Sequence, residues 1–287
     1  MKTPTIVFFG TPEFSTIVLD ELAAAGYTPA LIITAPDAPV GRGHVLTPSP
    51  AKVWAEAADV PALTPTSLRT DPELGALHNT KWDLFIVASY GKILPADILA
   101  LPKYGTLNVH PSLLPKFRGA SPVRSAILED ARETGVTIMR MDEELDHGAI
   151  VSQARIELEV ADWPPRATMF EALLAHAGGQ LLAETIAPWV AGEITPEAQD
   201  HDKATFSRKI MKEDGHIDLA DDPYQNLLKI RAYDGWPGTY FFAERGGKQV
   251  RVKILDAEIA EDGSLRILRV TPEGKREMDY ADFLRGS

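Results

Sequence analysis

The stretch Leu107-Asn108-Val109-His110-Pro111-Ser112-Leu113-Leu114-Pro115 puts a carboxamide and an imidazole two residues apart, in an apolar run that meets a proline. Side chains alternate along a strand, so Asn108 and His110 share one face while Leu107 and Val109 take the other. Proline lacks the amide hydrogen that a central strand needs, so the strand ends at His110. In an open parallel sheet, ligands bind beyond the C-terminal ends of the strands. A primary amide placed there can donate to a developing oxyanion. An imidazole beside it can carry a proton near neutral pH. The plainer alternative is two satisfied polar groups at a strand end. The pair standing together before a proline-rich loop favours the chemical reading.

A second segment, Met141-Asp142-Glu143-Glu144-Leu145-Asp146-His147-Gly148, also follows an expected strand and offers four carboxylates within five positions. One of them could hold an imidazole in its tautomer or take a proton through water. The alternative is an acidic surface turn. Composition does not choose among the four. Leu145 before Asp146 and Gly148 after it suggest a tight, packed turn that fixes Asp146.

Other chemistries lack their residues. The first expected strand runs into Gly10-Thr11-Pro12-Glu13-Phe14, where a dinucleotide fingerprint needs two further glycines. Pro12 also removes an amide that would face a phosphate, which disfavours a nicotinamide enzyme. The seven histidines show no metal-ligand spacing, there is no phosphate-binding P-loop, and the absence of cysteine rules out thiol nucleophiles and thiolate metal sites. No metal is expected. Residues 34–50 form a long connection in which Arg42 stands between Gly41 and Gly43. A loop of that length inside a domain is functional or mobile, and an arginine so flanked can reach a phosphate.

The elements that must position these groups alternate. Strand character over residues 6–9, 30–34, 84–88, 106–110 and 136–141 is interleaved with helical spacing over 14–25, 50–58, 94–101 and 122–128, and a long helix is expected over 168–190. That alternation predicts a mostly parallel sheet covered on both faces. From residue 217 the pattern becomes short strands (239–243, 250–254, 265–270) separated by turns such as Arg245-Gly246-Gly247. The expected organisation is a catalytic α/β domain over 1–192, a polar linker over 193–205 and a small β-rich domain over 206–287.

Composition fits a globular chain that buries a core, with 45% hydrophobic and 24% charged residues. The apolar run at residues 6–9 is too short for a signal peptide or a membrane span, so a cytoplasmic protein without membrane attachment is expected. The net charge of −12 argues against a generic nucleic-acid binder. The charge is uneven, however. Residues 204–287 hold 14 basic and 15 acidic side chains, against 15 and 26 in the rest, so the C-terminal part can still carry a basic face.

Asn108-Val109-His110, then Ser112-Leu113-Leu114-Pro115, then Leu145-Asp146 with Gly148 resemble the folate-dependent formyltransferase superfamily in order and spacing. Further matches resemble its methionyl-tRNA formyltransferase branch: Phe9-Gly10-Thr11-Pro12-Glu13-Phe14, Gly41-Arg42-Gly43, Arg118-Gly119-Ala120-Ser121-Pro122 and Trp236-Pro237-Gly238. The resemblance spans nearly the whole chain. It implies a Rossmann-like formyltransferase domain followed by an OB-like β-barrel. It also implies formyl transfer from 10-formyltetrahydrofolate, as co-substrate, to the α-amine of initiator methionyl-tRNA. Carried over residue by residue, Asn108, His110 and Asp146 are catalytic, and Ser112, Leu113, Leu114 and Pro115 line the folate site. Arg42, Arg118, Arg251 and Lys253 are assigned to tRNA, and the protein is expected to act as a monomer. His44 and Val45 stand where the branch usually has two lysines, which leaves this loop less charged. Rival readings are an amino-sugar-nucleotide N-formyltransferase, a glycinamide ribonucleotide formyltransferase and a non-catalytic OB-type nucleic-acid binder. The second of these leaves residues 204–287 unexplained. The third gives no reason for the order Asn108, His110, Asp146.

Overall fold

The computed structural model describes residues 3–41 and 43–286; Arg42 therefore lies outside the described residues. The strands used below are, in chain order, β1 (Ile6–Gly10), β2 (Leu31–Ile33), β3 (Ala38–Val40), β4 (Val45–Thr47), β5 (Ala62–Leu63), β6 (Leu84–Ala88), β7 (Thr106–His110), β8 (Thr134–Arg140), β9 (Ile150–Ile156), β10 (Tyr240–Arg245), β11 (Lys248–Ile259), β12 (Leu265–Pro272) and β13 (Met278–Asp279). The helices used below are α1 (Glu13–Ala24), α2 (Pro50–Ala57), α3 (Gly75–Asn79), α4 (Ala96–Leu99), α5 (Pro122–Leu128), α6 (Ala167–Val190), α7 (Pro223–Ala232) and α8 (Tyr280–Arg285). No helix among the described residues is long and apolar enough to cross a membrane.

The chain divides into two compact units. The first holds the residues up to Gly119, Thr134–Ile156 and Glu171–Phe206. Its seven-stranded sheet has the order β9-β8-β7-β6-β1-β2-β5. From β5 to β7 the strands are parallel, while β8 and β9 are antiparallel additions at one edge. Strand alternation sorts the core into two layers. Ile6, Phe8, Ile86 and Val109 pack with α1, α2 and the later turns of α6. Val7, Phe9, Phe85 and Val87 pack on the other side with Leu77, Leu94 and Ile98. Helix α6 approaches β7 closely because Gly178 has no side chain: a Cβ there would lie 2.6 Å from Cγ1 of Val109. The long connection after β2 carries the β3–β4 hairpin, whose Val40, Val45 and Leu46 are exposed.

The second unit comprises Ala120–Glu133, Glu157–Phe170 and the chain from Ser207 onward, so it takes α5 and a mid-chain segment as well as the C-terminal part. Its antiparallel sheet runs β10-β11-β12-β13. One sheet face is buried: Phe241, Val252, Ile254 and Val270 pack with Ile230 of α7 and Phe283 of α8. Helix α7 begins where Asp222 accepts from the Gln225 amide (2.8 Å) and Pro223 supplies a first-turn residue that needs no donor. Arg124 of α5 ties in by donating to the carbonyls of Ala232 (2.8 Å), Asp234 (3.0 Å) and Trp236 (2.6 Å). Arg166 donates to Asp256 (2.6 Å).

Candidate active site

The three residues singled out for catalysis lie together in the first unit, and all are buried: Asn108 at 8%, His110 at 4% and Asp146 at 9% exposure. The route by which Asp146 arrives differs from the expected one. β8 runs antiparallel to β7, with Leu107 opposite Arg140 and His110 opposite Thr137. The C-terminal end of β8 is therefore beside Leu107, at the far end of β7 from His110. Residues 141–149 must fold back to deliver Asp146. Gly148 allows the fold, because a Cβ there would collide with the carbonyl oxygen of Arg140.

His110 sits between two acceptors. Its Nε2 lies 2.9 Å from the carbonyl oxygen of Phe117. A carbonyl only accepts, so Nε2 carries a hydrogen and Nδ1 is the nitrogen left to take up a proton. Nδ1 faces Oδ1 of Asp146 at 3.7 Å, longer than a hydrogen bond but close enough for ionic attraction. The other carboxylate oxygen, Oδ2, accepts from the Gly119 amide at 2.7 Å, which fixes the carboxylate plane. Asn108 contrasts with both. Its carboxamide has no hydrogen-bond partner among the described residues, although its backbone is locked in β7. A nearly buried amide with both ends open is ready to bind a group from outside the chain.

Both partners of His110 have left-handed backbones: Phe117 at φ 58° and Asp146 at φ 49°. Each costs a non-glycine residue about 1 kcal/mol or more. Hydrogen bonds from residues distant in sequence hold them. Oγ1 of Thr205 accepts from the Phe117 amide (2.9 Å). Nε2 of Gln199 donates to the carbonyls of Asp146 (2.9 Å) and Gly148 (2.7 Å). Oε1 of Gln199 accepts from Nε and Nη2 of Arg118 (3.1 and 2.7 Å), and Nη2 also reaches Nδ1 of His201 (2.8 Å). Assigned to tRNA from sequence, Arg118 is instead 4% exposed and spends these donors inside the first unit.

The loop assigned to folate is rigid. The hydroxyl of Ser112 donates to the Lys116 carbonyl (2.6 Å), and Thr137 donates to the Ser112 carbonyl (2.6 Å) while accepting from the Leu114 amide (3.1 Å). Gln153 donates to the Leu114 carbonyl (2.8 Å). Ser112 and Leu114 are buried by this network, whereas Leu113 and Pro115 stay partly exposed and provide its apolar surface. Gly135 leaves room for Leu113, whose Cδ2 lies 2.8 Å from where a Cβ would stand. An open hollow of about 340 Å³ lies at the opposite end of β7, against Tyr104, Gly105, Arg140 and Trp189, and shares no residue with this cluster.

Arg251 and Lys253 lie in the second unit, on the outward face of β11. Gln199, Thr137, Gln153 and Thr205 were not singled out by sequence reasoning. Each acts across many residues, through a polar side chain with no local pattern around it.

Comparison with known proteins gives a consistent result. Residues 4–185 match the family model described as formyl transferase, and residues 209–264 match the formyl transferase C-terminal domain. The chain is 38% identical over 302 residues to a methionyl-tRNA formyltransferase of Halalkalibacterium halodurans, covering 98% of this chain and 94% of that one. It is 40% identical over 301 residues to the methionyl-tRNA formyltransferase of Listeria monocytogenes, covering 98% and 95%. Among solved structures, it resembles the N-formyltransferase of Helicobacter canadensis in complex with folinic acid and dTDP-3-aminofucose. That likeness has a TM-score of 0.64 at 16% identity, over 90% of this chain and 88% of the other, and speaks to the fold alone. With a mostly parallel α/β unit, an antiparallel β unit and family matches across both, this chain belongs to the formyltransferase family.

Proposed function

We propose that this protein transfers the formyl group of 10-formyltetrahydrofolate to the α-amine of initiator methionyl-tRNA, yielding N-formylmethionyl-tRNA for translation initiation in the cytoplasm. The observation that carries the reading is the buried set Asn108, His110 and Asp146, with its one unpartnered amide, in a chain 38–40% identical to methionyl-tRNA formyltransferases over 98% of its length.

The chemistry follows from what each side chain has free. The formyl carbon is attacked by a neutral amine, and negative charge grows on the formyl oxygen. The open N–H of Asn108 donates to that oxygen, a contact worth about 10²–10³ in rate. Nδ1 of His110 takes up a proton, and the resulting cation lies beside both the oxyanion and Asp146. Asp146 balances that charge and, through water, takes the proton released by the attacking amine. The His110 imidazolium gives its proton to the departing folate nitrogen and recovers one from Asp146, so the proton lost by the amine is the one gained by the leaving group: one C–N bond forms as another breaks, with no redox change. Such proton management contributes about 10²–10⁴. Leu113 and Pro115 give the donor an apolar wall, and the pinned 112–115 loop keeps it in place. The protein works as a monomer, with RNA contacts from the second unit.

An acceptor screen with 10-formyltetrahydrofolate tests this reading. Formylation of methionyl-tRNA should exceed that of an amino-sugar nucleotide and of glycinamide ribonucleotide by orders of magnitude in kcat/KM. Preference for the sugar nucleotide would overturn it.

A further inference from the structure

The outward face of the β10–β11 pair carries three rings where a sheet exposed to water usually carries polar groups. Inward residues Phe241, Val252 and Ile254 fill the core of the second unit. Their outward neighbours are Tyr240 and Phe242 on β10 and Arg251 and Lys253 on β11, with Tyr240 opposite Lys253 and Phe242 opposite Arg251. His216 pairs alongside Tyr240 in a parallel bridge and extends the row. The rings form a triangle with centroid distances of 5.5 Å (His216–Tyr240), 5.6 Å (His216–Phe242) and 5.7 Å (Tyr240–Phe242). Phe242 is 47% exposed, and His216 is exposed. A single exposed phenylalanine needs no explanation, but three clustered rings on a solvent face do.

The cations on this face are available. The guanidinium of Arg251 lies 3.6 Å from the Tyr240 ring centre, stacked on the ring. The Lys253 side chain lies across Gly238, where a Cβ would come within 2.5 Å of its Cε. Gly238 has φ 75°, so two constraints require glycine in the Trp236-Pro237-Gly238 turn. Neither Arg251 nor Lys253 forms an ion pair among the described residues. Elsewhere in this unit Arg266 pairs with Glu258, Arg269 with Glu277 and Arg231 with Asp256. Two cations without an ion pair therefore lie beside the aromatic patch, although exposed lysines such as Lys248 and Lys275 are also unpaired elsewhere in the unit, among the described residues.

The geometry points to a nucleotide platform: an unpaired base of the RNA substrate stacks on Phe242, with the His216 ring, tilted 47° to it, against the base edge, while the phosphates meet Arg251 and Lys253. Every base has a π-face, so rings beside cations recognise single-stranded nucleic acid with little sequence preference. A paired base inside a helix cannot stack this way, so the platform selects unpaired positions. A protein partner would match the rings but leave two unpaired cations buried against it, at a cost in desolvation. The inference rests on the reading that this chain acts on tRNA, and it adds a stacking contact to charge recognition.

The test uses the full chain, initiator tRNA and an unstructured eight-nucleotide RNA, with affinities measured across a salt series. Phe242→Ala should weaken binding of both RNAs roughly tenfold, in keeping with loss of one base stack, without changing the salt slope. Phe242→Trp should retain affinity, and its emission beyond that of the wild type should be quenched when either RNA saturates it. Arg251→Ala/Lys253→Ala should reduce the salt slope by about 1–2, as expected when two phosphate contacts are lost. Wild-type affinity in Phe242→Ala, or unquenched emission in Phe242→Trp at saturation, would overturn the platform. Failure of the wild type to formylate methionyl-tRNA would overturn the functional reading instead, and the eight-nucleotide RNA would still decide the platform.

Discussion

The carboxamide of Gln199 holds the main-chain carbonyl of Asp146 at 2.9 Å across 53 residues of sequence, and its own oxygen is gripped by the guanidinium of Arg118. Asp146 has a left-handed backbone at φ 49°, which a non-glycine residue adopts only at a cost. In the proposed mechanism Gln199 is a positioning residue, acting on the reaction through Asp146 and its turn. Gln199→Glu keeps a partner for Arg118 but replaces the two N–H donors with acceptors. It should lower kcat by about 10²-fold, the usual cost of a displacement near 1 Å at a catalytic group. KM for donor and acceptor should barely change, and Tm should stay within a few degrees of wild type. A lower Tm with unchanged kcat would show that the contact only braces the fold.

Within the catalytic set, each residue has its own expected signature. Asn108→Ala should lower kcat by about 10²–10³ without weakening donor binding, because its amide meets charge that exists only in the transition state. Asp146→Asn retains an oxygen for the Gly119 amide but cannot neutralise an imidazolium, and should cost about 10²–10⁴. Pre-steady-state formyl transfer with a separate measurement of folate affinity resolves the two effects. Near wild-type transfer in either variant would remove that residue from the mechanism.

Tyr90 offers a test of stability. Its ring packs edge-on against Phe9 at 5.6 Å, and its buried hydroxyl has no hydrogen-bond partner among the described residues. Burial pushes its pKa up to about 12. Tyr90→Phe removes a group that loses its water on folding and gains nothing in return, so urea unfolding should show a stabilisation of about 1 kcal/mol. The sign with pH follows from the raised value. The contribution of the neutral phenol is complete below pH 10, where the unfolded chain keeps its proton, and is lost as pH rises towards 12. The stability difference between wild type and variant should therefore widen above pH 10. A constant difference from pH 8 to 12 would contradict it.

Local signals made part of the proposed site readable. Asn108 and His110 were legible because strand alternation and Pro111 are properties of adjacent residues, and β7 ends where the proline requires. Asp146 was not separable by spacing from Asp142, Glu143 and Glu144; only the family resemblance chose it. What distinguishes it physically is the Gly119 amide and the Gln199 carboxamide, both remote in sequence. Strand β9 escaped notice because Ser152, Gln153 and Arg155 interrupt its apolar alternation, as befits an edge strand with one side in water. Helix α7 had a readable start in Asp222-Pro223 but lay in a stretch dominated by strand signals. The burial of Arg118 was not legible from residue type alone, and its partner Gln199 sat in what the composition marked as a linker.

The bond between Gln199 and Asp146 also sets an order of assembly. A ribosome makes residues 106–149 well before residue 199, and sheet pairing and the β7 face can form as soon as those strands emerge. The carboxylate beside His110 cannot be locked until the segment after α6 has left the exit tunnel and threaded Gln199 beneath the turn. A nascent chain halted before that point has the carboxamide and imidazole on their strand, but neither the Phe117 carbonyl nor the Asp146 carboxylate is fixed beside the ring, because Thr205 and Gln199 are both still missing.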